Sequence, residues 1–527
     1  MAHRRGHVST EPGLPPDPRL GLTHREGPWA GLRVLVGGLG RSGFAAADAL
    51  LQCGAQVSVV DAGSSDAVAE RAQILSILEA TVLTGTDGAA ALADPVAAAG
   101  LLGAVDLVVI SPGWWPTHPL PTAAAAAGIP VWGEVELAWR MRSREGAAEW
   151  LTLTGTNGKT TTVTMTSSIL RAGGLRATSA GNVGTPIIEA VLDPQPYDVI
   201  AVELSSFQLH WAHSLSPLAS ACLNIAPDHL DWHGSLAAYT AAKGTVYERT
   251  QRACVYNVQD ELTEDLVRQA DVVEGARAIG FTLGVPGLSM IGVVDDVLAD
   301  RAFVPNRHTH AAELATLADV ARGGRPAPAH TVANALAAAA LARAAGVTPA
   351  AVRDGLRDYV PQPHRIAEVA TVEGVRYVND SKATNPHAAA ASLAAYEQVV
   401  WVAGGLLKGA DVDALVAEHA GRFRGVVVLG ADRADIVQAL TRHAPQVPVI
   451  DVGTAQTGAM DRVVAEAATL ARPGDVVLLA PAAASMDMFA NYGARGDAFA
   501  DAVLRRARDA GQDGTSYRTD DGGEIRP

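Results

Sequence analysis

Residues Leu151–Thr164 read LTLTGTNGKTTTVT. The apolar LTLT predicts a buried strand, and TTVTMTSSILRAG continues as a helix, so GTNGKT forms a strand-to-helix turn. Such a junction is an anion site: the free N–H groups of the helix start converge there, and the helix dipole favours negative charge. The long phosphate-loop pattern asks for a glycine at the position held here by Leu153, and the nearest earlier glycine is Gly155. The pattern alone therefore leaves two readings open, a shortened nucleotide loop and a plain structural turn. On the first reading Lys159 reaches the β- and γ-phosphates of ATP and the Thr160 hydroxyl ligates Mg2+. Gly155, Thr156, Asn157, Gly158 and Thr161 complete that loop. In the same block YDVIAVELSS puts Glu203 just beyond a buried apolar run, where a magnesium-binding carboxylate belongs.

The chain of 527 residues is too long for one core, and its length suggests roughly three or four domains. Apolar residues make up 48%, which predicts packed globular domains rather than disorder. A net charge of −15 argues against nonspecific binding to nucleic acid or to anionic membranes, while leaving room for a locally held anion. Cys53, Cys222 and Cys254 show no paired or metal-type spacing, as suits a reducing cytoplasm. No stretch is long and apolar enough for a membrane helix. The Pro-rich start has no apolar signal region, so residues 1–28 read as a disordered extension and residues 509–527 as a flexible polar tail.

Strands followed by helices alternate in three blocks, which predicts α/β domains with mostly parallel sheets. The first, 29–147, opens with LRVLVGG and contains AQVSVVDAG and DLVVISPG. The second, 148–362, holds the glycine turn, YDVIAVELSS, ASACLNIAPDH and the helical HTVANALAAAALARAAG; its 275–328 region reads as a small β insertion. The third, 363–508, has strands GVRYVND, QVVWVAGG, FRGVVVLG and DVVLLAPA.

After ACLNI, Asp228, His229, Asp231 and His233 crowd together. The histidine spacing allows a zinc site on a helix, but Gly234 follows at once and Ser235 reads as the cap of the next helix, which places the histidines on a loop. Lys243 lies within that next helix, AAYTAAKGTVYE, where most lysines are solvated; Gly244 beside it implies either a close approach or fraying. In the first block Gly38, Gly40 and Gly43 follow a strand, and Asp61 ends the next one. That is a dinucleotide-binding fingerprint, which alone suggests NAD.

Taken in order, GTNGKT, ELSSFQL, NIAPDHLDWH, AAKGTVYE, PHR and NDSKATN closely resemble the Mur ligase family, from about residue 30 to about residue 508. ELSSFQL and NDSKATN are similar to the branch that adds D-glutamate to UDP-N-acetylmuramoyl-L-alanine in cytoplasmic peptidoglycan precursor synthesis. The family's loop is the short GTNGKT form, which selects the nucleotide reading. The resemblance implies three α/β domains: a Rossmann-like N-terminal domain for the UDP substrate, a central P-loop-type ATPase domain, and a Rossmann-like C-terminal domain for the amino acid. It implies an ATP-dependent amide ligase working through an acyl phosphate, with two Mg2+ ions. Thr160 and Glu203 would hold one ion; His229 and a carbamylated Lys243 would hold the other, leaving His233 structural.

Asn334, Arg365 and Asp380 are then expected on the nucleotide, and Asn182 on the substrate side. Thr331 stands where relatives often carry a second asparagine. Gly40, Arg41, Ser42 and Asp61, with Ser111 and Gly113, are expected at the UDP group, although the Asp-Thr-Arg usual in the family is Asp61-Ala62-Gly63 here. Lys382, Thr384, Lys408, Ser485 and Tyr492 match D-glutamate positions; Tyr492 replaces a more familiar Phe, and Leu406 occupies a spot acidic in some relatives. The third block is expected to swing onto the second when ATP binds, in a monomer. The competing readings are another Mur-type or folylpolyglutamate-type ligase, an NAD(P)-dependent oxidoreductase built on the glycine fingerprint, and a non-catalytic nucleotide sensor.

Overall fold

Three separate sheets organise the chain. A computed structural model describes residues 21–182, 184–321, 326–455 and 457–512. The first sheet contains β1 (Arg33–Gly37), β2 (Gln56–Val60), β3 (Thr81–Leu83), β4 (Leu107–Ile110) and β5 (Val131–Gly133), in the order β3-β2-β1-β4-β5 and all parallel. The second has nine strands. They are β6 (Glu149–Thr154), β7 (Ala177–Gly181), β8 (Val199–Glu203), β9 (Ala219–Cys222), β10 (Ala253–Asn257), β11 (Arg277–Phe281), β12 (Met290–Val294), β13 (Val297–Asp300) and β14 (Ala312–Thr316). Their order is β14-β13-β12-β11-β10-β9-β6-β8-β7, and only β13 and β14 break the parallel run. The third comprises β15 (Ala367–Val372), β16 (Val375–Asn379), β17 (Val399–Gly404), β18 (Phe423–Leu429), β19 (Val449–Gly453) and β20 (Val476–Leu479). It runs β15-β16-β20-β17-β18-β19, with β15 antiparallel. The expected α/β class with parallel-rich sheets is what forms.

Strands covered by helices on both faces must be apolar throughout, and VIAVE in β8, VVWVAG in β17 and VVLL in β20 are buried at every position. The alanine-rich run becomes the Ala329–Ala344 helix, with Ala335 to Ala342 all inaccessible to solvent. Its small side chains let it pack against the Lys159–Ala172 helix and the second sheet together, which fixes the GTNGKT loop and Asn334 on one core.

Two expectations need correction. The 275–328 region is not a separate insertion: β11 joins β10 in parallel, and β12 to β14 extend the same sheet. The disordered extension expected over 1–28 does not reach residues 21–28. Leu22 and Trp29 are fully buried, the Trp29 indole donates to the His24 carbonyl (2.9 Å), and Arg140 donates to the Leu22 carbonyl (3.0 Å). Two large apolar side chains give that short segment enough surface to bury. Residues 1–20 lie outside the described residues. At the other end the last helix runs Tyr492–Asp509 and Gln512 accepts from the Glu373 N–H (2.9 Å), so the tail expectation applies only to 513–527, also outside them.

Candidate active site

The loop after β6 is held open by a side chain absent from the motif. Asn224, just past β9, accepts the Asn157 N–H (2.8 Å) and returns a bond to the Asn157 carbonyl (3.1 Å). Thr156 is fixed by the Ala226 carbonyl (3.1 Å) and the Tyr239 hydroxyl (3.0 Å). Gly158 caps the Lys159–Ala172 helix at φ +81°, and a Cβ there would lie 2.3 Å from Asn334 Oδ1. Only glycine satisfies both the left-handed backbone and the close approach. Lys159 turns its ammonium onto its own loop, donating to the carbonyls of Gly155 (2.8 Å) and Thr156 (2.9 Å). Burial pushes this lysine below its ordinary value, with Glu203 and Asp228 opposing.

Glu203 ends β8 opposite Leu153 of β6 and is 1% exposed. Asn182 donates to Oε1 (3.1 Å), while Oε2 is buried with no partner among the described residues. An orphaned carboxylate oxygen beside a phosphate loop is what a divalent cation satisfies, and the buried Thr160 hydroxyl supplies a second oxygen in the same cleft. No group of three or more His, Cys, Asp or Glu side chains among the described residues could cage a metal.

The histidines correct the loop expectation in part. His229 takes a left-handed conformation (φ +52°) and starts a single helical turn, Leu230–His233, closed by Gly234. Its ring packs edge-on against Phe207 at 4.8 Å, and burial lowers its pKa. His233 pairs with Ser206 (2.9 Å), and burial takes it down to about 4. Ser235 caps the Leu236–Gly244 helix as expected, accepting the Ala238 N–H (3.1 Å). Lys243 is not solvated at all: it is 2% exposed, and Nζ donates to the Gly155 carbonyl (2.9 Å) and Thr154 Oγ1 (3.3 Å). Burial, and then the Lys159 charge, push its pKa down to about 7. Gly244 marks a close approach rather than a fray, since a Cβ there would meet Leu266 at 2.7 Å.

A cleft of about 1870 Å3 lies between the second and third sheets. Thr156 to Thr161, Asn182, Glu203, His229 and Asn334 line one wall, and Arg365, Asp380, Lys382 and Thr384 the other. The walls touch. Arg365 donates to Thr161 (3.3 Å), and Asn385 donates to Asn157 Oδ1 (3.2 Å) and Asp228 Oδ2 (3.3 Å). His387 and the Asn157 amide lie 2.9 Å apart. Asp380, one residue past β16, is buried, bonded to the Ser392 hydroxyl and the Ile366 N–H (3.3 Å). Burial raises its carboxyl to about 6.

Lys382 sits 3.9 Å over the Tyr492 ring. Lys408, Ser485 and Tyr492 do not line the cleft. A bridge between Leu406 and Ala484 (2.8 and 2.9 Å) brings the Lys408 and Ser485 loops together. Lys408 is exposed at φ +53°, and its charge lowers the His229 pKa after burial and Asp228 have acted.

The six UDP candidates gather instead at the carboxyl ends of β1, β2 and β4, and none lines the large cleft. Gly40 caps the Arg41–Gln52 helix, and Ser111 bonds the Gly38 carbonyl (3.4 Å). Gly113 is left-handed at φ +95°. Asp61 spends both oxygens shaping the glycine loop, accepting the Leu39 and Gly63 N–H groups (2.5 Å each).

Sequence reasoning missed Asn224, Asp228 as the Asn385 partner, and His387. Asn224 was detectable as a polar residue at a strand end; nothing in the sequence paired Asp228 with Asn385 across 157 residues.

Residues 153–342 match the Mur ligase middle domain, and residues 364–483 match the Mur ligase glutamate ligase domain. A UDP-N-acetylmuramoylalanine–D-glutamate ligase of Streptomyces avermitilis is 59% identical over 475 residues, covering 90% of this chain and 98% of that protein. Among solved structures, a pseudomurein peptide ligase type C from Methanothermus fervidus superposes with a TM-score of 0.54 at 15% identity, covering 90% of this chain and 99% of the other. A UDP-N-acetylmuramate-alanine ligase from Thermotoga maritima gives 0.52 at 18% identity, with the same coverage of both chains. At those identities the two structures speak for the fold alone.

Proposed function

This chain belongs to the Mur ligase family, and on that premise we propose that it is the ATP-dependent ligase joining D-glutamate to UDP-N-acetylmuramoyl-L-alanine. The observation that carries the reading is the orphaned Glu203 Oε2, buried beside the GTNGKT loop in a cleft whose opposite wall presents Lys382 and Thr384. It is a site built for a polyanion and a cation, facing a site built for carboxylates.

The alanyl carboxylate attacks the γ-phosphorus, forming a new O–P bond as the bond to the β-phosphate oxygen breaks and ADP leaves. The amine of D-glutamate then adds to the acyl carbon; the tetrahedral adduct loses phosphate, and the amine proton is released. A carboxylate attacking a polyanion must have its repulsion neutralised. Lys159 leaves its loop carbonyls for the phosphates, and Lys382 and Lys408 receive the D-glutamate carboxylates, with Thr384, Ser485 and Tyr492 around them. Thr160 and Glu203 would hold one Mg2+, and His229 with carbamylated Lys243 the second; bound there, Mg2+ supplies positive charge against the phosphates and the attacking oxygen. A Lys243 pKa near neutrality leaves a substantial fraction as free amine, which adds to CO2 to give the carbamate and a proton.

Asn334, Arg365 and Asp380 bind the nucleotide, Asn182 faces the substrate side, and the Gly40–Ser42 turn with Asp61, Ser111 and Gly113 receives the UDP group. Residues 29–147, 148–362 and 363–508 act as the substrate, ATP and amino-acid domains. The protein works as a cytoplasmic monomer; among the described residues no helix is long and apolar enough to cross a membrane, and all three thiols are free. Incubation with ATP, Mg2+, UDP-N-acetylmuramoyl-L-alanine and a panel of amino acids, with product masses read directly, tests the reading. Adduct with D-glutamate alone supports it, and preference for another amino acid or no adduct overturns it.

A further inference from the structure

At the end of the second sheet away from the cleft, β10 and β11 begin side by side, with Ala253 paired to Arg277. Asn257 and Phe281, at the other ends of these strands, line the cleft. The Ala329–Ala344 helix also spans the unit, with Asn334 in the cleft and Arg343 in its last turn. Around Arg252, Arg277, Arg343 and Phe303 lies a separate cavity of about 440 Å3, within the usual size range of small-molecule pockets. None of these residues takes part in the ligase chemistry.

Only part of this charge is answered by the protein. Arg343 pairs with the buried Asp300 (2.9 Å) and caps the Val347 carbonyl (2.5 Å). Arg252 donates one bond to the Ala344 carbonyl (2.9 Å) and Arg277 one to the Ala302 carbonyl (2.6 Å). Neither guanidinium has a carboxylate partner among the described residues, so most of their donors stay available. Arg307 adds like charge: burial first, and then Arg307, hold Arg277 below its ordinary value, with Asp300 opposing. Guanidinium forks with donors still free match phosphate oxygens in charge and geometry. The cavity is larger than a lone phosphate needs, and the Phe303 ring, 5.8 Å from the Arg277 guanidinium carbon, offers an apolar face.

We propose that this cavity binds a small organic phosphate, with Arg252 and Arg277 on the phosphate and Phe303 against the organic part. Titration calorimetry of the full chain, without Mg2+ or nucleotide, tests it with two probes, phenyl phosphate and inorganic phosphate. Phenyl phosphate is expected to bind the Lys159→Ala variant as it binds the parent, and to bind Arg277→Gln about tenfold or more weakly, the loss of one charge-assisted contact. Arg252→Gln, at the exposed rim, should weaken it similarly and carries the test if Arg277→Gln fails to fold. Tighter binding of phenyl phosphate than of inorganic phosphate supports the organic assignment, and equal or weaker binding overturns it. Binding unchanged in both arginine variants, or lost in Lys159→Ala, overturns the site.

Discussion

Asp380 offers the sharpest separation of stability from function. Its carboxyl is buried, and burial raises it from an ordinary 3.8 to about 6, against the Ser392 bond and the Arg365 charge. Because the folded value lies above the unfolded one, the folded chain holds this proton more tightly. Its stabilising effect is complete below the unfolded value and lost as pH rises through the folded value. A gap of about two units at about 1.4 kcal/mol each makes the loss about 3 kcal/mol at pH 8, where it is complete, and about 1 kcal/mol at pH 4.5. Asp380→Asn keeps the shape and, like the protonated acid, one acceptor oxygen for the two partners Ser392 and Ile366, while removing the charge. We predict that the variant, free of nucleotide, is more stable by those amounts. For a domain of this size about 3 kcal/mol is a rise of roughly 6–12 °C in the transition of the third unit. Scanning calorimetry at the two pH values measures it. ATP binding should move the opposite way: the proposed contact of the carboxylate with the nucleotide would be lost, raising the KM for ATP by about tenfold. A variant that melts lower at pH 8, or gains equally at both pH values, refutes the electrostatic argument. One that gains stability and keeps its ATP KM refutes the nucleotide role.

Gly158→Ala forces a left-handed alanine costing ~1 kcal/mol or more and a Cβ 2.3 Å from Asn334, so the KM for ATP should rise at least about tenfold with an unchanged circular dichroism spectrum; a normal KM would count against the loop geometry. Lys243→Ala should lose turnover, regain part of it with added short-chain carboxylic acids, and lack the carbamate resonance that 13C-bicarbonate gives the parent. Normal turnover without added acid would sink the carbamate reading. Asn385→Ala removes two bonds of ~1 kcal/mol each between the cleft walls, favouring an open arrangement by about thirtyfold. Small-angle scattering should then report a larger ligand-free radius than the parent's, and identical curves would argue that other contacts hold the walls together.

The β6 turn was legible because its chemistry is local: a strand, two glycines and a helix start lie within a dozen residues, and hydrogen bonding there depends on neighbours in sequence. Apolar runs such as VVWVAG announced covered parallel strands for the same reason. What escaped depended on distance along the chain. The 275–328 strands looked like an insertion because their glycines and prolines mark turns, whereas β11 is recruited by pairing with β10. Composition alone left Lys243 a solvated lysine and only the family resemblance marked it as a ligand; that the loop carbonyl of Gly155 meets its ammonium is visible in the fold alone. Leu22 was lost inside a polar lead-in, since one buried side chain leaves no period to detect.

Gly155 gathers the site's electrostatics on a single carbonyl oxygen. Lys159 and Lys243 both donate to it, at 2.8 and 2.9 Å, so two ammonium groups converge from different elements. One carbonyl dipole cannot compensate two buried cations, and the lysine farther from solvent yields: Lys243 is depressed to about 7 by burial and then by Lys159. The repulsion thus leaves Lys243 partly as the free amine that the proposed carbamylation requires, and a carbamate there would give Lys159 an anion where it now faces a cation. Glu203 fits the same logic, since it counts among the charges acting on both lysines while one of its oxygens stays unpaired. Phosphate and cation would arrive as the missing partners of groups already buried at strand ends. The free energy spent on holding those groups apart from water would then be recovered on binding.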